Sequence, residues 1–552
     1  MKNLIILIFL ILQKTVSFSQ APCQWAYIPD GSNAYNSPSL VATDSYGNII
    51  QAGKILGIGD MDPGTGLADT SNSYGGYNYF LSKTGNDGHL LWIKYFSQQI
   101  ALSSFEFIGV EMNSNDEIVL VGNFFGVVDF DLSSGVDTLR SHFQTYPDYF
   151  VAKYNTTGDL MFAFNIGNTT TSNVEVQALA IRQNDDILIS TNPSGGTPVD
   201  VDPGNGIHNT ILGNGNIVCY DSNGNYLWNN NISSTYSYGI QNKSIDADGV
   251  GNSYLLTVGY YELSVNKYNS SGSWLWEKTI GDFSIGASVN PQSVLVDKTN
   301  GDFYVAGTFG GTVDFDPGNG SVNKISTSGF YDDGFIAKYD SSMNLLWVNQ
   351  YAGEMNFGAH SLDFSGNDIV AVGSFTGTID FGSGLVFTSG VQSTNPLLIT
   401  LDLSGNALNG YALDGSGYYN TVNSTSNQSC VISGNVSSSI DMDPTASVIT
   451  LTPGTSHYFV AVYGTIPTTV SEQNKIATFS IYPNPVNDRL IVHSSLLLKA
   501  INFTLTDAIG KSIMKGMLSA EMNFVEMDRL PAGIYFLCLG EDAKNSFRVV
   551  KN

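Results

Sequence analysis

The chain is poor in charge. Charged residues make up 13% of it, about half the usual quarter. Cations are the scarcer sign: 23 Lys and Arg face 49 Asp and Glu, for a formal net charge of −26. Such an excess repels nucleic acid and anionic membrane surfaces, so no nucleic-acid partner is expected. Cysteine is scarce as well. Cys23, Cys219, Cys430 and Cys538 are widely spaced and form no CxxC pair, which argues against a zinc site and a dense disulfide framework. No long stretch repeats apolar residues at helical spacing. The six histidines (His89, His142, His208, His360, His457 and His493) include no HExxH, and no G-x-S-x-G elbow occurs, so no catalytic residue is assigned. A pair of carboxylates of the glycosidase kind is not excluded by spacing alone.

What is present points to strands. Apolar residues reach 42%, with 58 Gly, 29 Tyr and 30 Phe. Aromatics suit strands, and Gly, Asn and Ser suit turns, so the composition reads all-β. The amino terminus reads as an address. Met1-Lys2-Asn3 precedes the unbroken apolar run Leu4 to Leu12, and Ser17 and Ser19 offer small residues for cleavage between Ser19 and Gln20. Residues 1–19 therefore read as a signal peptide. The apolar run is too short to span a bilayer, and the mature chain is expected to carry no transmembrane segment. Pro22 before Cys23 argues against a lipid-anchored cysteine.

The middle is a repeat. Its fullest copy begins with the strand Val294-Leu295-Val296, turns at Thr299-Asn300-Gly301, and continues through Phe303-Tyr304-Val305-Ala306-Gly307. The loop Asp314-Phe315-Asp316-Pro317-Gly318-Asn319-Gly320 follows, then Phe335-Ile336-Ala337-Lys338-Tyr339 and Leu345-Leu346-Trp347-Val348. The fourth-strand aromatic recurs at Trp92, Phe162, Trp228, Trp276 and Trp347, with Asn409 in the sixth copy, at intervals of 48 to 71 residues. The third strand recurs seven times, from Phe80-Leu81-Ser82-Lys83 to Phe459-Val460-Ala461. Four short strands per copy make one propeller blade. The seventh copy stops near Tyr463 without a fourth strand, while Gln24-Trp25-Ala26-Tyr27 stands one repeat ahead of Leu91-Trp92-Ile93. The expected architecture is a seven-bladed β-propeller over residues 20–463, closed by this N-terminal strand. The copies resemble the bacterial SBBP β-propeller repeats. That resemblance implies a fold and no fixed activity. The fourth copy departs from it, having no Asp-rich loop between Gly259 and Val265.

Residues 464–476 read as a linker, and residues 477–552 as a small β-sandwich. Its marks are Tyr482-Pro483-Asn484-Pro485, the turn Asp507, Gly510 and Lys511, and the phrase Leu530-Pro531-Ala532-Gly533-Ile534-Tyr535, followed by a basic end. These marks resemble the type A C-terminal sorting domain of type IX secretion, found in Bacteroidetes. Thr506 departs from the commoner apolar residue. The resemblance implies the type IX secretion machinery and a surface sortase as partners, and a protein that is secreted or held at the cell surface.

Candidate chemistry sits in acidic loops at Asp60/Asp62, Asp129/Asp131, Asp200/Asp202, Asp314/Asp316 and Asp441/Asp443, with Asp380-Phe381-Gly382 as a degraded sixth. Oxygen ligands at this spacing suit calcium. The EF-hand pattern fails, since Gly318 and Ile325 occupy its fifth and twelfth places. The favoured reading is an Asx-turn, with calcium as the alternative cofactor. The recurrent tryptophans read as packing between blades rather than as a carbohydrate platform. Lys83, Lys153, Lys267 and Lys338 read as solvated strand edges. Cys219, in the lysine slot, reads as an isolated thiol, and a Cys23–Cys430 bridge would have to reach across an intervening strand. The function expected is a binding or scaffold module with a glycan or protein ligand. The alternatives are an extracellular carbohydrate-active enzyme with axial carboxylates and a structural surface component.

Overall fold

Short runs of β-branched and aromatic residues, cut by Asp, Asn and Gly every few residues, give strands and little else. A computed structural model of the chain describes residues 22–28, 30–31, 40–56, 59–62, 77–98, 104–142, 146–168, 173–194, 197–210, 215–232, 241–259, 263–281, 287–327, 332–351, 355–382, 384–390, 393–426, 428–445, 447–453, 457–464, 479–482, 484–494, 501–507, 511–518, 522–539 and 545–552. The signal segment with Ser19 and Gln20, most of the linker, Pro483 and Gly510 lie outside them. The described residues contain strands and no helix, and none is long and apolar enough to cross a membrane as a helix. The chain divides into two compact units between residues 466 and 467.

In the first unit, the described residues form six antiparallel sheets of four strands and one of six, in which the four strands of the first repeat are extended by Val127–Asp129 and Thr138–Arg140 from the loop of the second. The fifth shows the plan: Ser288–Val296, Phe303–Gly310, Asp333–Tyr339 and Leu345–Tyr351. The seventh has three strands from its own stretch, Gly417–Ser424, Cys430–Val436 and His457–Tyr463. Its fourth is Cys23–Tyr27, with Trp25 opposite Val462. The first strand of each meander packs against the first strand of the next, and Gly417–Ser424 packs against Leu40–Thr43.

Register explains the recurrent residues. Lys83 faces Trp92, Lys153 faces Phe162, Cys219 faces Trp228, Lys267 faces Trp276 and Lys338 faces Trp347 across the third and fourth strands. Most of these aromatics, and Trp25 with them, reach the next repeat. Trp25, Trp92, Phe162, Trp228 and Trp347 lie on Gly88, Gly158, Gly224, Gly272 and Gly405. These glycines have positive φ in the hairpin turn, where a side chain would be strained and would strike the ring. Trp25, Trp92 and Trp347 also donate their indole N–H to the carbonyls of Asn86, Thr156 and Leu403. The rings therefore bond neighbouring repeats together and present no open stacking platform.

The lysines correct the sequence reading. Lys83, Lys153 and Lys267 are buried, not solvated. Lys83 Nζ lies 2.8 Å from Asp44, and Lys153 Nζ lies 2.6 Å from Glu117. Lys153 and Lys267 also donate to the carbonyls of Ser222 and Ser341 in the following repeat, at 2.9 and 2.8 Å. Their stems pack inside while the ammonium finds a carboxylate or carbonyl. In the third repeat the cation changes places. Cys219 occupies the lysine slot, and Arg182 reaches beside it, donating to Asp186, Gly251 O and Ser270 O at 3.2, 2.8 and 3.0 Å. Burial pushes the Cys219 thiol up to about 12, which removes its nucleophilic form at neutral pH. Cys23 and Cys430 both register with Tyr463, from opposite sides of its strand.

In the second unit, Phe479–Tyr482, Arg489–Ser494 and Met522–Glu526 form one sheet. Ser512–Leu518, Ile501–Asp507, Gly533–Leu539 and Asn545–Lys551 form another. Leu490, Val492 and Val525 of the first share a core with Leu505, Leu537 and Val549 of the second.

Candidate functional site

The acidic loops lie between the second and third strands of their repeats. In each complete one, the first carboxylate closes the loop on itself. Asp314 Oδ1 accepts the N–H of Asp316 and Val322 at 3.0 and 2.8 Å. Asp129 accepts from Asp131 and Asp137, Asp200 from Asp202 and His208, and Asp441 from Asp443 and Ile449. The second carboxylate caps the bend: Asp131, Asp202, Asp316 and Asp443 accept from Ser133, Gly204, Gly318 and Thr445. Asp60 accepts from Asp62, and Asp380 from Gly382. The residue between the acids points inward. Met61, Phe130, Val201, Phe315, Phe381 and Met442 are all buried. Its carbonyl takes a tyrosine hydroxyl from the third strand: Tyr154 to Phe130, Tyr220 to Val201, Tyr339 to Phe315 and Tyr463 to Met442, at 2.8 to 3.1 Å. Among the described residues, no group of three or more His, Cys, Asp or Glu side chains is gathered as a metal set.

A different set of acids lines a cavity of about 650 Å³ between the seven first strands. Glu111, Asp246 and Asp363 stand at one register position of the second, fourth and sixth repeats, opposite Val119, Tyr254 and Val370. The same position holds Ala42, Ala180, Leu295 and Asn423 in the other four. Asp246 accepts the N–H of Val296 and the ammonium of Lys298. Asp363 accepts the N–H of Phe364 and Ser424. Glu111 has no hydrogen-bond partner among the described residues. Burial, reinforced by the charges of Asp246 and Asp363 and opposed by Lys298, pushes its carboxyl up to about 8. Burial raises Asp363 to about 6 against the pull of its backbone donors. These residues escaped the sequence reading. Their signal was an acid inside an apolar first strand, as in Val110-Glu111-Met112 and Leu362-Asp363-Phe364.

In the second unit the motif residues divide into scaffold and surface. Asn484 donates to Arg548 O and accepts from Val550 N, at 2.7 and 2.8 Å, fastening the entry segment to the final strand. Asp507 Oδ1 accepts the N–H of Lys511. Tyr535 is buried and donates to Pro531 O at 2.8 Å. Pro531, Gly533 and Ile534 are exposed, and Leu530 is half-buried. Val486, next after Pro485, bridges to Lys551.

Residues 480–551 match the family described as the secretion system C-terminal sorting domain. The chain thus carries a type IX sorting domain at its carboxyl end, which directs export to the cell surface or extracellular space. No curated protein matches the chain. Solved structures similar to it include a protein of unknown function from Bacteroides caccae, at 12% identity and a TM-score of 0.31, covering 60% of this chain and 89% of that one. PorZ, a surface component of the type IX secretion system of Porphyromonas gingivalis, is similar at 10% identity and a TM-score of 0.24, covering 93% and 91%. A Lactobacillus plantarum protein is similar at 12% identity and a TM-score of 0.32, covering 74% and 99%.

Proposed function

We propose that residues 20–463 form a closed seven-bladed β-propeller that serves as an exported binding or scaffold module. It is followed by a linker over 464–476 and a sorting β-sandwich over 477–552. One observation carries the reading: the first strands pack in succession and the seventh returns to the first, while the N-terminal strand completes the seventh sheet. Such a closed array leaves no unpaired end between the first and last repeats and holds its loops rigidly. The acids that dominate the sequence are used to shape loops, which favours a scaffold over a catalyst. Residues 1–19 act as the signal peptide, cleaved between Ser19 and Gln20, and the sorting domain engages the type IX machinery and a surface sortase.

The test is to incubate the purified mature chain with insoluble polysaccharides and assay both retention and released sugar. Retention without hydrolysis supports the module. Hydrolysis that disappears in Glu111→Gln supports the rival reading, an enzyme with axial carboxylates, which the cavity acids favour. Neither retention on glycan nor binding to a surface protein leaves the module reading without a ligand and overturns it.

Calcium at Asp60, Asp62, Asp129, Asp131, Asp200, Asp202, Asp314, Asp316, Asp441 and Asp443 is the alternative use of the loops. A thermal melt with calcium and then with excess chelator separates the two, because a ligand of the folded state raises the melting temperature. We expect no calcium-dependent shift. A clear rise would reassign the loops as metal sites.

A further inference from the structure

The residue that each acidic loop turns inward fills the seam before its repeat. Phe315 of the fifth repeat packs with Leu256, Leu263 and Ile280 of the fourth. Val201 of the third packs with Val119, Tyr149 and Ile166 of the second. The seam between the third and fourth repeats has no such plug among the described residues, because the fourth passes from Val258 to Leu263 without the hairpin. Its walls have changed as well. Phe303, Phe335, Ala337 and Val348 help form the apolar wall that the fifth repeat turns to the fourth. Ser253, Ser264, Asn266 and Glu277 stand at those four register positions in the fourth repeat. Leu255 and Tyr268, on the same face, meet Leu188, Ile217 and Cys219 of the third.

Ser264 finds Thr279 at 3.0 Å. Ser253 Oγ, both amide atoms of Asn266 and the Tyr268 hydroxyl are buried and have no hydrogen-bond partner among the described residues. On the other wall, Ser190 Oγ and Trp228 Nε1 are in the same state. A polar group buried without a partner is costly, and it regains water when the walls part. What holds the seam lies mostly at the hairpin turns. Arg182 donates to Gly251 O and Ser270 O, and Asn230 to Gly272 O. Away from the turns, Asn242 donates to Thr191 O. A region with little apolar burial opens at lower free energy than the whole. We propose that the first unit parts at this seam before it unfolds, swinging about the turn-end bonds while the other repeats stay packed. The seam is thus a hinge built into the repeat array. Only the order of the repeats is needed for it, not closure of the array, export or a ligand.

Two buried cysteines report on it. Cys219 lies in this seam at 0% exposure, and Cys430 lies at 7% in the apolar seam between the sixth and seventh repeats. Burial pushes both thiols up to about 12, so neither reacts until its seam parts. The experiment labels the full mature chain with N-ethylmaleimide and follows each cysteine's peptide by mass spectrometry. Each rate is divided by that of the same thiol in the urea-unfolded chain. We expect Cys219 to react about tenfold or more faster than Cys430, although it is the less exposed of the two. Urea below the unfolding transition should quicken Cys430 more than Cys219, since a parting seam exposes less surface than unfolding. Asn266→Leu keeps the size of the side chain without its polar atoms and should slow Cys219 about fivefold. Asn230→Ala removes the bond to Gly272 O and should quicken it about fivefold. An unchanged Cys430 rate shows that each variant is folded, and the wild-type ranking stands without them. A Cys219 rate no faster than that of Cys430, an equal response to urea, or indifference to both substitutions would each overturn the proposal.

Discussion

The fourth and fifth repeats differ by one loop, and the difference shows what the loop is for. In the fifth, Asp314 and Asp316 fold a hairpin that drives Phe315 into the core, and Tyr339 donates its hydroxyl to the Phe315 carbonyl. The fourth passes from Val258 to Leu263 without such a hairpin. Tyr268 stands at the register of Tyr339 and is equally buried, yet its hydroxyl has no hydrogen-bond partner among the described residues. The sixth repeat is intermediate: its loop is reduced to Asp380-Phe381-Gly382, and Leu401 replaces the tyrosine. Complete loop and satisfied hydroxyl go together in the second, third, fifth and seventh repeats. The acids give the loop its shape, and the apolar residue between them gives the repeat its plug.

The largest expected effect breaks the plug. Phe315→Ala removes a fully buried ring and should destabilise the first unit by about 3–5 kcal/mol. The shift of that unit's melting transition in the full chain measures it. A loss below about 1 kcal/mol would mean that the loop contributes little packing, and the comparison with the fourth repeat would lose its basis.

A second contrast sets the third repeat against its neighbours. In the first, second and fifth repeats the third-strand lysine meets an acid of the first turn, at Asp44, Glu117 and Asp302; in the third, Cys219 fills the lysine slot and Arg182 of the first turn supplies the cation. Cys219→Lys therefore forces a second cation against Arg182 and should cost about 1–3 kcal/mol. Adding Arg182→Asn, the residue type found at the matching Asn113, should recover much of that loss. The double-mutant cycle gives the coupling, expected at about 0.5–3 kcal/mol. Additive effects would show that the two sites do not share one cation position.

Much of this was legible in the sequence because it repeats. The aromatic of the fourth strand and the lysine of the third recur at fixed places, so one register orders the whole unit, and Trp25 announces the strand that completes the seventh sheet. Burial was not legible in the same way. Lys83 and Lys153 look like edge residues because alternation within one sheet gives no account of the next repeat, whose turn covers them. Glu111, Asp246 and Asp363 are single acids lying 135 and 117 residues apart along the chain; only the side-by-side packing of first strands brings them to one cavity. The dense Asp-x-Asp loops attracted attention through composition, while the sparse acids share the cavity.

The smallest effect is the most discriminating. Tyr339→Phe removes a buried hydroxyl and leaves the Phe315 carbonyl without its donor, which should cost about 1 kcal/mol. Tyr268→Phe removes a hydroxyl of the same type from the same register, but one with no acceptor among the described residues. Burying an unpaired hydroxyl is unfavourable, so this substitution should be neutral or slightly stabilising. Both variants keep the ring and its packing, so volume cancels from the comparison. Opposite signs, read from two melting curves under identical conditions, would show that the fourth repeat lost an acceptor when it lost its loop. Equal losses would mean that Tyr268 finds an acceptor in the segment joining Gly259 to Leu263, and that the shorter connection performs the same task as the acidic hairpin.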